Sequence, residues 1–273
     1  MTAVAPAAVG TGRPARRGRS VWSRVPLSAF SLAAGAVLWE IVGTVADVPF
    51  FPPLHVVLDT LWDMTVSGQI LGNLFTSLGN LAVGFGISLL AGLVLGTAMG
   101  RYRRVNAALG VYVYALLTAP SLVFAPVFFS VFGAGRASII GVIFMYSAFV
   151  MIITTASAVA NVSGSLVEMG RCFGANEWQL VTRVILPAAT PTIMAGARLG
   201  MGRAVLGMIN GEMFIAVVGL GRIVTQAGGR FDGASVLAVL LVVIVVALSA
   251  VGLVQFADRR LTAWLPKTAR SAQ

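Results

Sequence analysis

The chain has 273 residues, of which 58% are hydrophobic and 10% charged, a balance that excludes a soluble globule of this size and requires lipid to solvate much of its surface. Its formal net charge of +10 would suit nucleic acid, but the arginines cluster in short segments between apolar runs. With no aromatic-interleaved basic stripe, they are assigned to membrane orientation and anionic head groups, and nucleic acid is excluded as a partner. One cysteine, Cys172, and one histidine, His55, exclude an internal disulfide and leave no set of ligands for a metal site or proton relay.

Residues 1–25 are rich in Ala, Gly, Pro and Arg without apolar periodicity and are expected to form a disordered, basic cytoplasmic tail. The apolar segment that follows imitates a signal peptide, but it runs about 20 residues without a small-residue cleavage site, so it reads as a retained first helix. This first span covers Leu27 to Ala46, and its Glu40 must face protein or lie near the far head groups. Phe50, Phe51, Pro52 and Pro53 break it. Leu54, Val57, Leu58, Leu61 and Trp62 then recur at helical spacing, with Asp59 and Asp63 on the wet side, which predicts an amphipathic helix resting in the interface. A second short amphipathic stretch is expected at Ile70–Leu78.

Five further spans are placed at Asn80–Met99, Val105–Phe132, Ser138–Val159, Thr190–Val218 and Ser235–Ala257, giving about six in an all-α polytopic integral membrane protein. The transmembrane domain is residues 26–262, followed by a cytoplasmic tail at 263–273. Pro120 and Pro126 mark the third span as a candidate for a broken helix lining a cavity, and the glycines from Gly196 to Gly211 mark the fifth similarly. Gly92, Gly96 and Gly100, at every fourth position, fit close helix packing. Clusters at Arg101, Arg103 and Arg104, at Arg171 and Arg183, and at Arg259 and Arg260 alternate with outer segments carrying Arg136, Arg222 and Arg230 together with Asp47, Asp59, Asp63 and Asp232. The positive-inside rule then places both termini in the cytoplasm.

Between the fourth and fifth spans lies a polar stretch, Ser165–Pro187, too long for a simple turn. It reads as two short helices joined at Gly174. Glu177, Trp178, Val181 and Val184 give the second a mixed face suited to docking on another protein, and Pro187 is expected to stop it. The segment resembles the cytoplasmic loop of permease subunits of bacterial ATP-binding cassette importers, in the nitrate, sulfonate and taurine branch. That loop carries Glu-Ala-Ala, three residues, Gly, nine residues, Ile, one residue, Leu-Pro. Glu168, Gly174, Val184, Leu186 and Pro187 match the spacing, with Met169-Gly170 in place of the two alanines. The resemblance covers residues 30 to 260, with Asn80 where an arginine is expected.

The resemblance implies a coupling helix, built around Glu168, Gly174, Ala175, Glu177, Trp178, Val184, Leu186 and Pro187, that inserts into cytoplasmic ATPase subunits. It further implies an extracytoplasmic substrate-binding protein, a homodimer in the bacterial plasma membrane, and a small anion or organic acid such as a sulfonate, taurine or nitrate as cargo. The chain is not an enzyme: its one lysine, Lys267, follows no glycine-rich phosphate loop, so ATP and Mg belong to the partner and no cofactor is expected here. Arg198, Arg203 and Glu212, with Pro120 and Pro126, are the candidate translocation-path residues, since ionisable groups at membrane depth are costly to keep; the alternative is that Arg198 snorkels to the inner surface and Glu212 caps or pairs locally near the outer end of the fifth span. An ion-coupled secondary transporter is the main alternative; a membrane-embedded hydrolase lacks a Gly-x-Ser-x-Gly motif.

Overall fold

The computed structural model describes residues 25–264 apart from Asp47, Pro49 and Ala216, so the two expected tails lie almost wholly outside the described residues. The elements are α1 (Val25–Ala46), α2 (Leu54–Val66), α3 (Gln69–Arg101), α4 (Arg103–Thr118), a 3-10 turn (Ser121–Phe124), α5 (Ala125–Phe132), α6 (Arg136–Ala160), α7 (Gly164–Cys172), α8 (Glu177–Gln179), a π-helical stretch (Leu180–Ile185), α9 (Leu186–Ile215), α10 (Leu220–Gly228) and α11 (Gly233–Leu261). Among the described residues four helices are long and apolar enough to cross a bilayer: Gln69–Arg101, Arg136–Ala160, Glu177–Ile215 and Gly233–Leu261. A fifth span is present if α4 and Ser121–Phe132, bent by 98°, count as one crossing. The chain is an all-α polytopic membrane protein.

A fixed register joins α3 to α6. Gly84 packs on Ile143, Ser88 on Ser147, Gly92 on Met151, Gly96 on Thr155 and Gly100 on Val159. Each pair differs by the same sequence offset, so the two helices run parallel. A Cβ built on Gly92 would stand 2.5 Å from Met151 Cβ, and one on Gly96 2.6 Å from Thr155 Cβ, so only glycine permits this approach. In a bilayer, where burial of apolar surface gives helices little reason to associate, such close packing supplies the attraction. The register also carries a polar link, because Ser147 Oγ donates to Ser88 Oγ at 2.7 Å.

On its other side α6 packs antiparallel against α9, where Gly196 meets Thr154, Gly200 meets Met151, Gly207 meets Tyr146 and Gly211 meets Val142. Thus α6 is the central helix, and its apolar residues are buried to a degree that no other span reaches. The glycines of α9, expected as break points, instead sit in an unbroken helix and admit α6. These directions bring Arg101, Arg171 and Arg183 to one end of the bundle, with Arg259 and Arg260 of α11, whose Asp258 reaches Arg198 on α9. Asp59, Asp63 and Asp232 lie at the other.

Two expected boundaries are corrected. Ile70–Leu78 is not a separate amphipathic helix but the first turns of α3, because nothing between Leu78 and Asn80 interrupts the i to i+4 ladder. Pro187 does not end its helix: Glu177–Ile215 is continuous. The widened turn before it explains this, since Leu186 N–H donates to Val181 O, five residues back, which moves the preceding carbonyls away from the proline ring. The break expected at Pro120 is present. Ala119 is extended, with ψ 139, as a residue before proline prefers, and Pro126 opens α5 at its first turn. The helix expected after Pro53 forms as α2, which turns Val57 and Met64 inward and leaves Trp62 exposed.

Candidate functional site

The polar connection between α6 and α9 is built from the end of α7 upward. Gly174 N–H donates to Arg171 O at 2.9 Å and Ala175 N–H to Gly170 O at 3.1 Å, the paired bonds of a Schellman stop. This places Gly174 at φ +77, a left-handed conformation that costs an L side chain about 1–2 kcal/mol. Two residues on, Asn176 and Gln179 form a reciprocal capping box: Gln179 N–H donates to Asn176 Oδ1 at 2.9 Å and Asn176 N–H to Gln179 Oε1 at 3.0 Å. Stop and start are therefore both encoded locally.

The departure at Met169-Gly170 has a packing reason. Gly170 is buried under Leu180, and a Cβ there would stand 2.7 Å from Leu180 Cδ2. Val184 lies beside the same glycine, and Leu186 joins the cluster under the loop. Glu168 and Pro187 are exposed, Ala175 half-buried. Glu177 accepts from Arg101 and from Arg171, at 2.8 and 3.0 Å, tying α8 to both α3 and α7. Across Gly174, Phe173 is 85% exposed and Trp178 75% exposed. Two large apolar side chains thus project from a polar turn. Phe173 is not among the site residues expected from the sequence; its signal is an aromatic residue in a loop with no helical partner for it.

The charged groups at membrane depth fall into two kinds. Arg198 reaches Asp258 on α11 at 3.5 Å. Glu212, for which the sequence left open a place on the translocation path or a local cap near the outer end of the fifth span, is fully buried. Its Oε2 accepts from Ser77 Oγ at 2.8 Å and from Gly221 N–H at 3.1 Å, while Ser77 Oγ accepts from Leu220 N–H at 2.9 Å. This side chain therefore bridges the N-terminus of α10 to α3. Gly219, at φ +86, leaves no room for a side chain beside it. Asn80 adjoins this network and accepts from Arg136 Nε at 3.0 Å, so the guanidinium expected at position 80 arrives from α6.

Arg203 is different: it lies in the middle third of α9, exposed, with no partner among the described residues. Two helical turns along the same face, Asn210 Nδ2 donates to Tyr146 Oη at 2.9 Å. A cavity of about 290 Å³ lies there, with Leu122 of the broken segment forming one wall and Asn210, Met213 and Phe214 the other. Pro120 and Pro126, on the same broken segment as Leu122, are exposed. Among the described residues no group of three His, Cys, Asp or Glu side chains could hold a metal ion.

Residues 88–263 match the family model described as the binding-protein-dependent transport system inner membrane component. A permease named for aliphatic sulfonates transport in Bacillus subtilis (strain 168) is 30% identical over 230 residues, covering 83% of this chain and 83% of its own. The riboflavin transport system permease of Chloroflexus aurantiacus is 29% identical over 230 residues, covering 84% and 86%. Related permeases thus carry different substrate names, and none dominates. The fold is similar to a chain of the MetNI methionine ABC transporter in an inward-facing conformation, with TM-score 0.60 and 21% identity over 70% of this chain and 94% of that one. Members of the family are transport permeases, not ATPases, and their architecture implies an ATPase partner and a substrate-binding protein. The chain belongs to the binding-protein-dependent inner membrane component family, as a permease subunit of an ATP-binding cassette importer.

Proposed function

We propose that two copies of this chain form the translocation path of an importer for a small anion or organic acid, such as a sulfonate, taurine or nitrate, in a bacterial plasma membrane. Each copy contributes six crossings, with α1 and the broken α4–α5 pair added to the four long spans. Both termini face the cytoplasm, in keeping with the arginine clusters at the ends of α3, α7 and α11. Residues 26–262 constitute the membrane domain.

The observation that carries this reading is the pair of exposed aromatic side chains, Phe173 and Trp178, held on either side of the Gly174 turn. An apolar pair on a rigid polar turn fits a groove on a second protein, and the ATPase is the partner that the family requires. Because α8 runs without interruption into α9, displacement of this turn is transmitted as a rigid-body movement of a membrane-crossing helix. Glu168, Ala175, Val184, Leu186 and Pro187 shape the docking segment, and Glu177 anchors it. Arg203 faces the path together with Pro120 and Pro126, where a fixed cation attracts an anionic cargo. Arg198 and Glu212 hold helices to one another.

The test is uptake into proteoliposomes holding the chain, its ATPase and its binding protein, with labelled taurine, sulfonate and nitrate offered in turn. Uptake that requires ATP on the ATPase side, and survives collapse of ion gradients, is the expected result. Uptake that follows a proton or sodium gradient without ATP would establish an ion-coupled carrier instead.

A further inference from the structure

A cavity of about 400 Å³ lies between the end of α3 and the first turns of the Glu177–Ile215 helix. Its deep part is apolar, formed by Leu93 and Val94 on α3 facing Val181 and Leu186. At 1.5 Å per helical residue, Leu93 lies about 12 Å inside Arg101, which ends the span. The cavity therefore runs from the hydrocarbon to the head-group level, and its walls change from aliphatic to polar along that line.

At the polar end two buried groups have no partner among the described residues: the Thr97 hydroxyl and the Arg101 Nε–H. They stand one helical turn apart on the same face of α3, and both can donate. Arg101 gives its Nη2 to Glu177, but that carboxylate is shared with Arg171, so two guanidinium charges meet one carboxylate. Arg103 and Arg104 follow directly, both exposed. Tyr102, whose ring lies 5.8 Å from the Arg101 guanidinium carbon, and Trp178 supply the aromatic groups favoured at a head-group boundary. Apolar depth, uncommitted donors and surplus positive charge occur here in the order in which an anionic phospholipid presents its acyl chain, ester groups and phosphate.

We propose that this cavity is a binding site for an anionic phospholipid, with one acyl chain between Val94 and Val181 and the phosphate and ester oxygens at Arg101 and Thr97. The bound lipid then forms part of the seat of Trp178 and the coupling turn. This site depends on α3 crossing a membrane and not on which cargo is carried, so it stands apart from the uptake experiment.

The experiment is native mass spectrometry of the purified full-length chain in detergent, titrated with phosphatidylglycerol or phosphatidylcholine. Wild type is expected to retain phosphatidylglycerol about tenfold better than phosphatidylcholine. Ala98→Phe, which fills the cavity, and Thr97→Val, which removes one donor, should each abolish most of that preference. Val94→Trp, at an exposed position, provides a cavity-filling variant that leaves the helix contacts intact. Equal retention of the two lipids, or unchanged preference in all three variants, would overturn the proposal. So would displacement of the lipid by inorganic phosphate alone, since the acyl chain would then contribute nothing. Loss of ATPase copurification in Val94→Trp with lipid preference intact would assign the cavity to the protein partner.

Discussion

Arg101 Nη2, at the end of α3, lies 3.0 and 2.8 Å from the two carboxylate oxygens of Glu177, at the start of the helix that becomes α9. The contact joins residues 76 apart in sequence, and Arg171 of α7 completes it at 3.0 Å. One carboxylate thus fastens the end of a membrane span to the turn that is assigned to the ATPase.

For Glu177→Gln the account predicts an uncoupled protein, not an unfolded one. Exposed ion pairs contribute little to stability and are screened by salt, so the melting temperature in detergent should hardly move. The stimulation of partner ATP hydrolysis by loaded binding protein should fall by about fivefold or more. Measuring both on the same preparation separates a coupling role from a folding role; a large loss of melting temperature would show that the carboxylate serves mainly to hold the fold.

The α3–α6 register sets a second expectation. Gly92→Leu or Gly96→Val would force Met151 or Thr155 away from the seam, at about 1–3 kcal/mol. Gly252, where an added methyl group would meet nothing within 4 Å, provides the control, since Gly252→Ala should be neutral or slightly stabilising. Thermal unfolding of the three variants in one detergent checks this. Equal melting temperatures would contradict the claim that the glycine seam holds these helices together.

Glu212 makes a third case. Glu212→Ala would strip partners from Ser77 and from the buried Gly221 N–H, at about 1–3 kcal/mol for each group left unsatisfied. Glu212→Gln keeps an acceptor for them and should retain most of the stability. Hydrogen exchange at Leu220 and Gly221 reads the difference directly, with fast exchange expected only in the alanine variant. Similar exchange in both would mean that α10 is held by packing alone.

What the sequence makes legible follows the range of the interactions. The long apolar runs, the proline break at Pro120 and the Glu168-to-Pro187 spacing are local patterns, and each has a structural counterpart. The Schellman stop at Gly174 and the Asn176–Gln179 capping box are also local, which is why two helices joined at Gly174 can be read from the residues alone. Pro187 misleads because its usual effect assumes an α-helical ladder, and the π-helical stretch before it removes that assumption. The links of Ser77 to Glu212, Asn80 to Arg136 and Tyr146 to Asn210 are hidden. They join residues far apart in sequence, and nothing in the local pattern of α3 or α6 announces a partner.

The role proposed for Arg203 gives a fourth case. Arg203→Leu should reduce uptake of an anionic substrate by about tenfold or more, while Arg203→Lys retains part of it because the charge survives without the planar fork. Copurification with the ATPase should be unaffected in both, since the residue lies in the middle of α9. If the leucine variant transports normally, Arg203 does not face the path.

Docking of the ATPase on the turn around Gly174 is read by copurifying the tagged chain with its ATPase, comparing wild type with Phe173→Asp and Trp178→Asp. Both side chains are exposed, so the variants should fold and insert as wild type does, with unchanged melting temperature. Wild type is expected to bring down the ATPase and each aspartate variant to lose most of it. An undiminished complex in both variants would place the ATPase contact elsewhere on the chain.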